Sequence, residues 1–161
     1  MKFAVIPNLS KKDARKYTLQ SIEILHRLGA ELFMHDEMKR EFEHQPVTFY
    51  QEIEELMEHC DIVIAIGGDG TIIHASKYAS ASNKPVLGIN VGRLGYVAGL
   101  ETNELCSLER LMVGDYTVEE RMMLEVSFYQ NGQKQTYQVL NDAIVARGSL
   151  SRILDLTVSY Q

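Results

Sequence analysis

A lone carboxylate set among glycines offers the clearest chemistry in this chain. Gly67-Gly68-Asp69-Gly70-Thr71 follows directly on the apolar run Ile62-Val63-Ile64-Ala65-Ile66. A short run this rich in Ile and Val reads as a central parallel strand covered on both faces. The glycines beyond it permit positive φ and a close backbone approach. In an open α/β sheet, ligands enter the crevice at the carboxyl ends of the strands, so Asp69 is expected at its mouth. The competing interpretation is an ordinary strand-to-helix turn in which Asp69 or Thr71 caps the next helix. A cap explains one polar residue and does not require three glycines around a carboxylate, so a functional loop is the expectation.

Other reactive side chains are less organised. His35, His44 and His59 lack a matched set of partners and read as scattered surface residues. Cys60 and Cys106, the two cysteines, have no metal-ligand spacing and fit a reducing compartment better than a disulfide framework. There is no GxxxxGK[ST], and Gly88, Gly92 and Gly95 do not form GxGxxG, so neither of those phosphate-binding signatures supports nucleotide binding. A net charge of −6 argues against a sequence-independent nucleic-acid binder, which needs a basic face to displace counterions. No apolar run approaches the roughly 20 residues that cross a bilayer. Met1 to Pro7 is too short and strand-like for a signal peptide, so a cytoplasmic protein with no membrane partner is expected.

The elements that must position Asp69 alternate along the first hundred residues. Phe3 to Ile6 reads as a strand, with Ser10 as N-cap of a helix from about Lys11 to Leu28 that stops at Gly29. Glu31 to Met34 reads as a second strand, and His35 to His44 as a charged loop or frayed helix. A helix over Tyr50 to His59 delivers the chain to the strand at Ile62, with a helix over Ile72 to Ser80 and a strand over Lys84 to Ile89 after the loop. This alternation predicts an α/β domain with a Rossmann-like parallel sheet. Asn90 to Leu100 is a second glycine-punctuated loop, followed by a helix from about Glu104 to Met112.

Beyond Gly114 the texture changes to β. Tyr116 to Val126 alternates loosely, and Asn131-Gly132 between Val126–Tyr129 and Thr136–Leu140 is a strong hairpin signal. Ala143 to Ala146 and Ile153 to Tyr160 read as further strands. The expected organisation is an α/β domain over 1–115 and an antiparallel all-β, sandwich-type domain beginning at 116–161, incomplete at residue 161.

The GGDGT loop after a strand, Asn90 to Leu100 in a following loop, and Leu140-Asn141-Asp142-Ala143-Ile144-Val145 in the β region together resemble the NAD kinase family over nearly the whole chain. GGDGT alone is shared with diacylglycerol and sphingosine kinases and has relatives among phosphofructokinases; the combination narrows it. The resemblance implies transfer of a phosphoryl group from ATP, or inorganic polyphosphate, to the adenosine ribose 2′-hydroxyl of NAD, giving NADP. Asp69 would accept the hydroxyl proton, and Gly68, Asp69, Gly70 and Thr71 would contact the substrates, with Gly68 and Gly70 allowing close approach. Mg²⁺ would be held largely by the nucleotide phosphates, with no metal site built from the protein's own side chains.

The same resemblance makes His74 a basic contact to the dinucleotide. It gives Asn141 and Asp142 the adenosine end of NAD, and Arg152 the wall of that pocket. Without it, His74 faces solvent, Asn141-Asp142 is a β-turn and Arg152 is an exposed strand-end residue. Asn90, Gly92, Leu94 and Gly95 read as a structural loop beside the site. Relatives imply a homo-oligomer, dimer or tetramer. The alternatives are a lipid or other small-molecule kinase sharing the loop, and a non-catalytic nucleotide-binding module.

Overall fold

The computed structural model describes residues 1–92, 95, 97–140, 142–144 and 157–159. The chain divides into two compact units, Met1–Met122 and Met123–Gln161. In the first, β1 (Lys2–Pro7) leads to α1 (Ala14–Arg27), β2 (Glu31–His35), α2 (Lys39–Phe42), β3 (Thr48–Tyr50) and α3 (Ile53–His59). There follow β4 (Ile62–Gly67), α4 (Asp69–Ala81), β5 (Val86–Asn90), β6 (Leu100–Glu101) and α5 (Leu108–Met112). The six strands form one sheet in the order β3-β2-β1-β4-β5-β6, and every neighbouring pair is parallel.

The side-chain period of two divides the core between the faces of this sheet. All six residues of β4 are buried. Ile62, Ile64 and Ile66 pack with Ile22 and Leu25 of α1 and Leu108 and Leu111 of α5. Val63 and Ala65 pack with Leu56 and Met57 of α3 and Ile72, Ala75 and Ala79 of α4. The unbroken apolar run is thus a strand with helices on both sides. Gly88 of β5 lies directly under Ile72, whose side chain occupies the space a Cβ would take.

Several element boundaries differ from the sequence expectation. α1 starts at Ala14 behind Asp13 in the left-handed region (φ 64) and carries no side-chain cap, so Ser10 is not its N-cap. β3 forms within the stretch that joins the charged segment to α3, because Phe33, Met34 and His35 of β2 pair with Thr48, Phe49 and Tyr50. The charged segment itself makes a 3-10 turn at Asp36–Met38 and the single helical turn α2, which buries Phe42. The first half of the expected Glu104–Met112 helix is 3-10 over Thr102–Ser107. Beyond α5, Arg110 donates to Asp115 at 2.8 Å across the surface and holds that carboxyl below the usual range.

In the second unit β7 (Leu124–Gln130) and β8 (Gln133–Val139) pair antiparallel. Asn131 (φ 51) and Gly132 (φ 77) turn the hairpin, as the two left-handed positions of a type I′ turn demand. Phe128 and Tyr137 stack at 5.8 Å, and Ser127 and Thr136 hydroxyls meet at 3.0 Å on the opposite face. Residues 115–123 form no regular element, contrary to the alternation read from Tyr116. Ala143, Ile144 and residues 157–159 belong to no strand; the rest of the two further strands expected there lies outside the described residues.

Two outcomes follow from this packing. Ile64 has no exposed surface, so Ile64→Ala should lower stability by about 3 kcal/mol in a urea titration, the usual cost of an aliphatic cavity. Cys60 is 1% exposed and burial pushes its thiol pKa up, whereas Cys106 is exposed. A maleimide should therefore label Cys106 alone in the native protein and both cysteines in denaturant.

Candidate functional site

The chain builds outward from β1 through β2 to β3, then returns to lay β4 on the other side of β1. α1 covers one face of the sheet and α4 the other. The loops leaving the carboxyl ends of β1 and β4 therefore diverge, which makes this the topological switch point, where such sheets take their ligands. Asn8, just past β1, links the two loops. Its N–H donates to the Ile66 carbonyl at 2.9 Å, and its amide Nδ2 donates to Thr71 Oγ1 at 3.1 Å. Asn8 Oδ1 accepts from the N–H and hydroxyl of Ser10 at 3.1 and 2.6 Å, and the Asn8 carbonyl accepts from Lys11 N–H at 3.1 Å. The turn 8–11 is thus folded on itself and tied to the GGDGT loop.

Asp69 is the first residue of α4, three residues earlier than the sequence expectation for that helix. Gly68 is its N-cap and accepts at its carbonyl from the N–H groups of Thr71 and Ile72 at 2.8 and 3.3 Å, while no side chain caps the helix. The Asp69 carboxylate is half-buried, and its Oδ1 accepts from Val97 N–H at 3.3 Å. Gly95 lies against the same carboxylate, in the space its own Cβ would occupy. The loop between β5 and β6 therefore helps to orient the carboxylate, through the Val97 amide and the missing side chain of Gly95.

That loop is anchored at its base. Asn90, 1% exposed, donates through Nδ2 to both carboxylate oxygens of Glu101 at 3.1 and 3.2 Å. Val91 N–H donates to the Gly67 carbonyl at 2.7 Å, and Gly99 N–H to the Gly88 carbonyl at 3.0 Å. Glu101 N–H in turn donates to Glu104 Oε2 at 2.9 Å. Asn90 and Gly95 are the chain's own scaffold for Asp69, the structural role expected of this loop; Leu94 lies outside the described residues.

The glycines of the loop divide into two kinds, and none of Gly67, Gly68 or Gly70 uses the positive φ that the sequence suggests. Gly67 is needed because a Cβ there would collide with the Thr71 side chain. At Gly68 a Cβ would meet only Lys11 Cε, at 3.9 Å, and at Gly70 nothing within 4 Å. Glycine inside a helix costs roughly 1 kcal/mol relative to alanine, and at Gly70 no contact with the described residues requires it. Among the described residues, the surface over Gly70 is bare and that over Gly68 meets only Lys11.

His74 is exposed on the next turn of α4, one helical row on from Gly70, with its ring edge-on to Tyr78 at 5.1 Å. The structure thus brings Gly68, Asp69, Gly70, Thr71 and His74 onto one loop and helix end. Asp142 is exposed in the second unit, while Asn141 and Arg152 lie outside the described residues. No local pattern in the sequence marks Asn8, Lys11 or the Val97 amide as part of the site. Asn8 directly follows Pro7 at the end of β1, and only the adjacency of β1 and β4 makes it a partner of Thr71.

Residues 3–116 match the family described as ATP-NAD kinase N-terminal domain. The chain is 30% identical over 158 residues to an NAD kinase of Acetivibrio thermocellus, covering 97% of this chain and 54% of that protein. With the NAD kinase of Natranaerobius thermophilus it shares 32% identity over 154 residues, 94% of this chain and 53% of that one. The chain spans about half the length of the curated relatives it matches. Among solved structures, yeast NADH kinase complexed with NADH superposes with a TM-score of 0.70 at 17% identity, over 86% of this chain and 46% of that one. An NAD kinase from Archaeoglobus fulgidus in complex with ATP gives 0.53 at 20% identity, over 83% and 45%. At these identities the likeness is one of fold.

The division among the glycines can be measured. Gly67→Ala should destabilise by about 1–3 kcal/mol through overpacking against Thr71. Gly70→Ala should be neutral or stabilise by up to about 1 kcal/mol, because it gains helix propensity in open space. Thermal denaturation of the two variants beside the parent checks both.

Proposed function

This chain belongs to the ATP-NAD kinase family, and from that premise we propose that it carries the catalytic carboxylate of an enzyme that phosphorylates the adenosine ribose 2′-hydroxyl of NAD to give NADP. The observation that carries the proposal is the half-buried Asp69 carboxylate. It is steered by Val97 N–H and Gly95 beside a strip of glycines, of which Gly70 has no neighbour and Gly68 only Lys11 among the described residues. A ribose hydroxyl is a poor nucleophile, and a carboxylate within hydrogen-bond reach accepts its proton as the new P–O bond forms. The remaining work is positioning and charge neutralisation, for which a glycine-lined helix start is suited because backbone can approach a phosphate closely.

ATP is the proposed phosphoryl donor, with inorganic polyphosphate as the alternative. Mg²⁺ is written as part of that substrate, bound to its phosphates. His74 is proposed to reach a phosphate of the dinucleotide. Asn141, Asp142 and Arg152 are proposed for the adenosine end of NAD. A cytoplasmic homo-oligomer, dimer or tetramer, belongs to the same proposal.

The test is formation of NADP by the full-length protein from NAD, ATP and Mg²⁺, followed with a dehydrogenase specific for NADPH. Asp69→Asn keeps the shape of the side chain and removes the base, so kcat should fall by roughly 10²- to 10⁴-fold with little change in thermal midpoint. Gly70→Ala should lose activity while its stability holds. Phosphorylation of a lipid with no NADP formed would refute the proposal.

A further inference from the structure

Among the described residues, Lys11 is the cation set directly against the glycines of the loop, with its Cε 3.9 Å from where a Cβ on Gly68 would stand. Its backbone is fixed by the Asn8 turn, and that turn is fixed to Thr71 by the Asn8 amide. Among the described residues no carboxylate pairs with its ammonium. The two sides of the loop differ. Asp69 is held from the β5 side, by Val97 N–H and Gly95. Lys11 comes from the β1 side, and β4 runs between β1 and β5.

We infer that Lys11 contacts the phosphoryl donor, its ammonium neutralising a phosphate that lies over Gly68 on the side of the loop away from the Asp69 carboxylate. The inference rests on the phosphotransfer reading above and adds to it the direction of transfer. Entering and leaving oxygens lie roughly in line through the transferred phosphorus. The acceptor hydroxyl is at Asp69, on the β5 side, so the donor's remaining phosphates extend toward β1 and Lys11. In the step, the ribose 2′-oxygen bonds to the terminal phosphorus and its proton passes to Asp69. The bond from that phosphorus to the bridging oxygen breaks, and the bond's electron pair stays with the departing phosphate chain. Lys11 serves as a point charge for that chain, which any phosphate chain satisfies whether or not it bears a nucleoside.

The test compares full-length wild type, Lys11→Met and Lys11→Arg by calorimetric titration with Mg-ATP and with Mg-tripolyphosphate, alongside NADP kinetics. Lys11→Met should weaken binding of both ligands by roughly 10- to 100-fold, the loss of one charge-assisted contact. It should raise the KM for the donor, leave the KM for NAD unchanged, and leave the thermal midpoint unchanged because the side chain is exposed. Lys11→Arg should recover most of the affinity. Equal affinity of Lys11→Met and wild type for Mg-ATP overturns the inference, as does a loss confined to Mg-ATP or one that falls on NAD. A wild type that makes no NADP, yet binds both phosphate ligands in a Lys11-dependent way, refutes the NAD kinase reading and upholds the contact.

Discussion

Because β1 and β4 lie side by side and parallel while the chain between them travels out through β2 and β3, their following helices must pack on opposite faces of the sheet. No short connection can join the two carboxyl ends, and the loops that leave them part. Both loops carry backbone groups that need partners. The Asn8 side chain reaches across to Thr71 and its backbone to Ile66. Everything proposed about the site depends on that geometry, since Asp69, Gly68 and Lys11 converge only because β1 and β4 do.

Stability and chemistry make opposite demands on the few residues after β4. The strand itself is buried on both faces and contributes as core. One residue later the chain gives up a capping side chain, and at Gly70 it gives up helix propensity as well. Gly67 and Gly95 are different, since each makes room for a polar side chain of its own chain, Thr71 or Asp69. Motif glycines that look equivalent in a string of letters therefore do separate jobs. Two shape the site, and two leave it with few neighbours among the described residues.

The orientation of Asp69 comes from elements well separated along the chain. Asn90 binds Glu101, which closes the base of the loop between β5 and β6. That closure brings Gly95 and the Val97 amide to a carboxylate almost thirty positions earlier. An amide that satisfies a half-buried carboxylate in this way fixes its geometry, because each group is then held by the partner it would otherwise have to find in water.

The sequence by itself determined the α/β class, the buried strand at Ile62–Ile66, the hairpin at Asn131-Gly132 and the carboxylate at 69, because each is written in local pattern. A period of two or 3.6, an apolar run, or a turn needing two left-handed residues is legible over a few positions. Strand order is not. β3 formed where no strand was legible, since its three residues are recruited by β2. Ser10, which reads as a helix cap, is bound by Asn8. Only tertiary structure decided that β4 sits between β1 and β5, and hence that Asn8 and Lys11 flank one side of the loop and Gly95 and Val97 the other. Those contacts join residues tens of positions apart, and their energy depends on packing that no local pattern records.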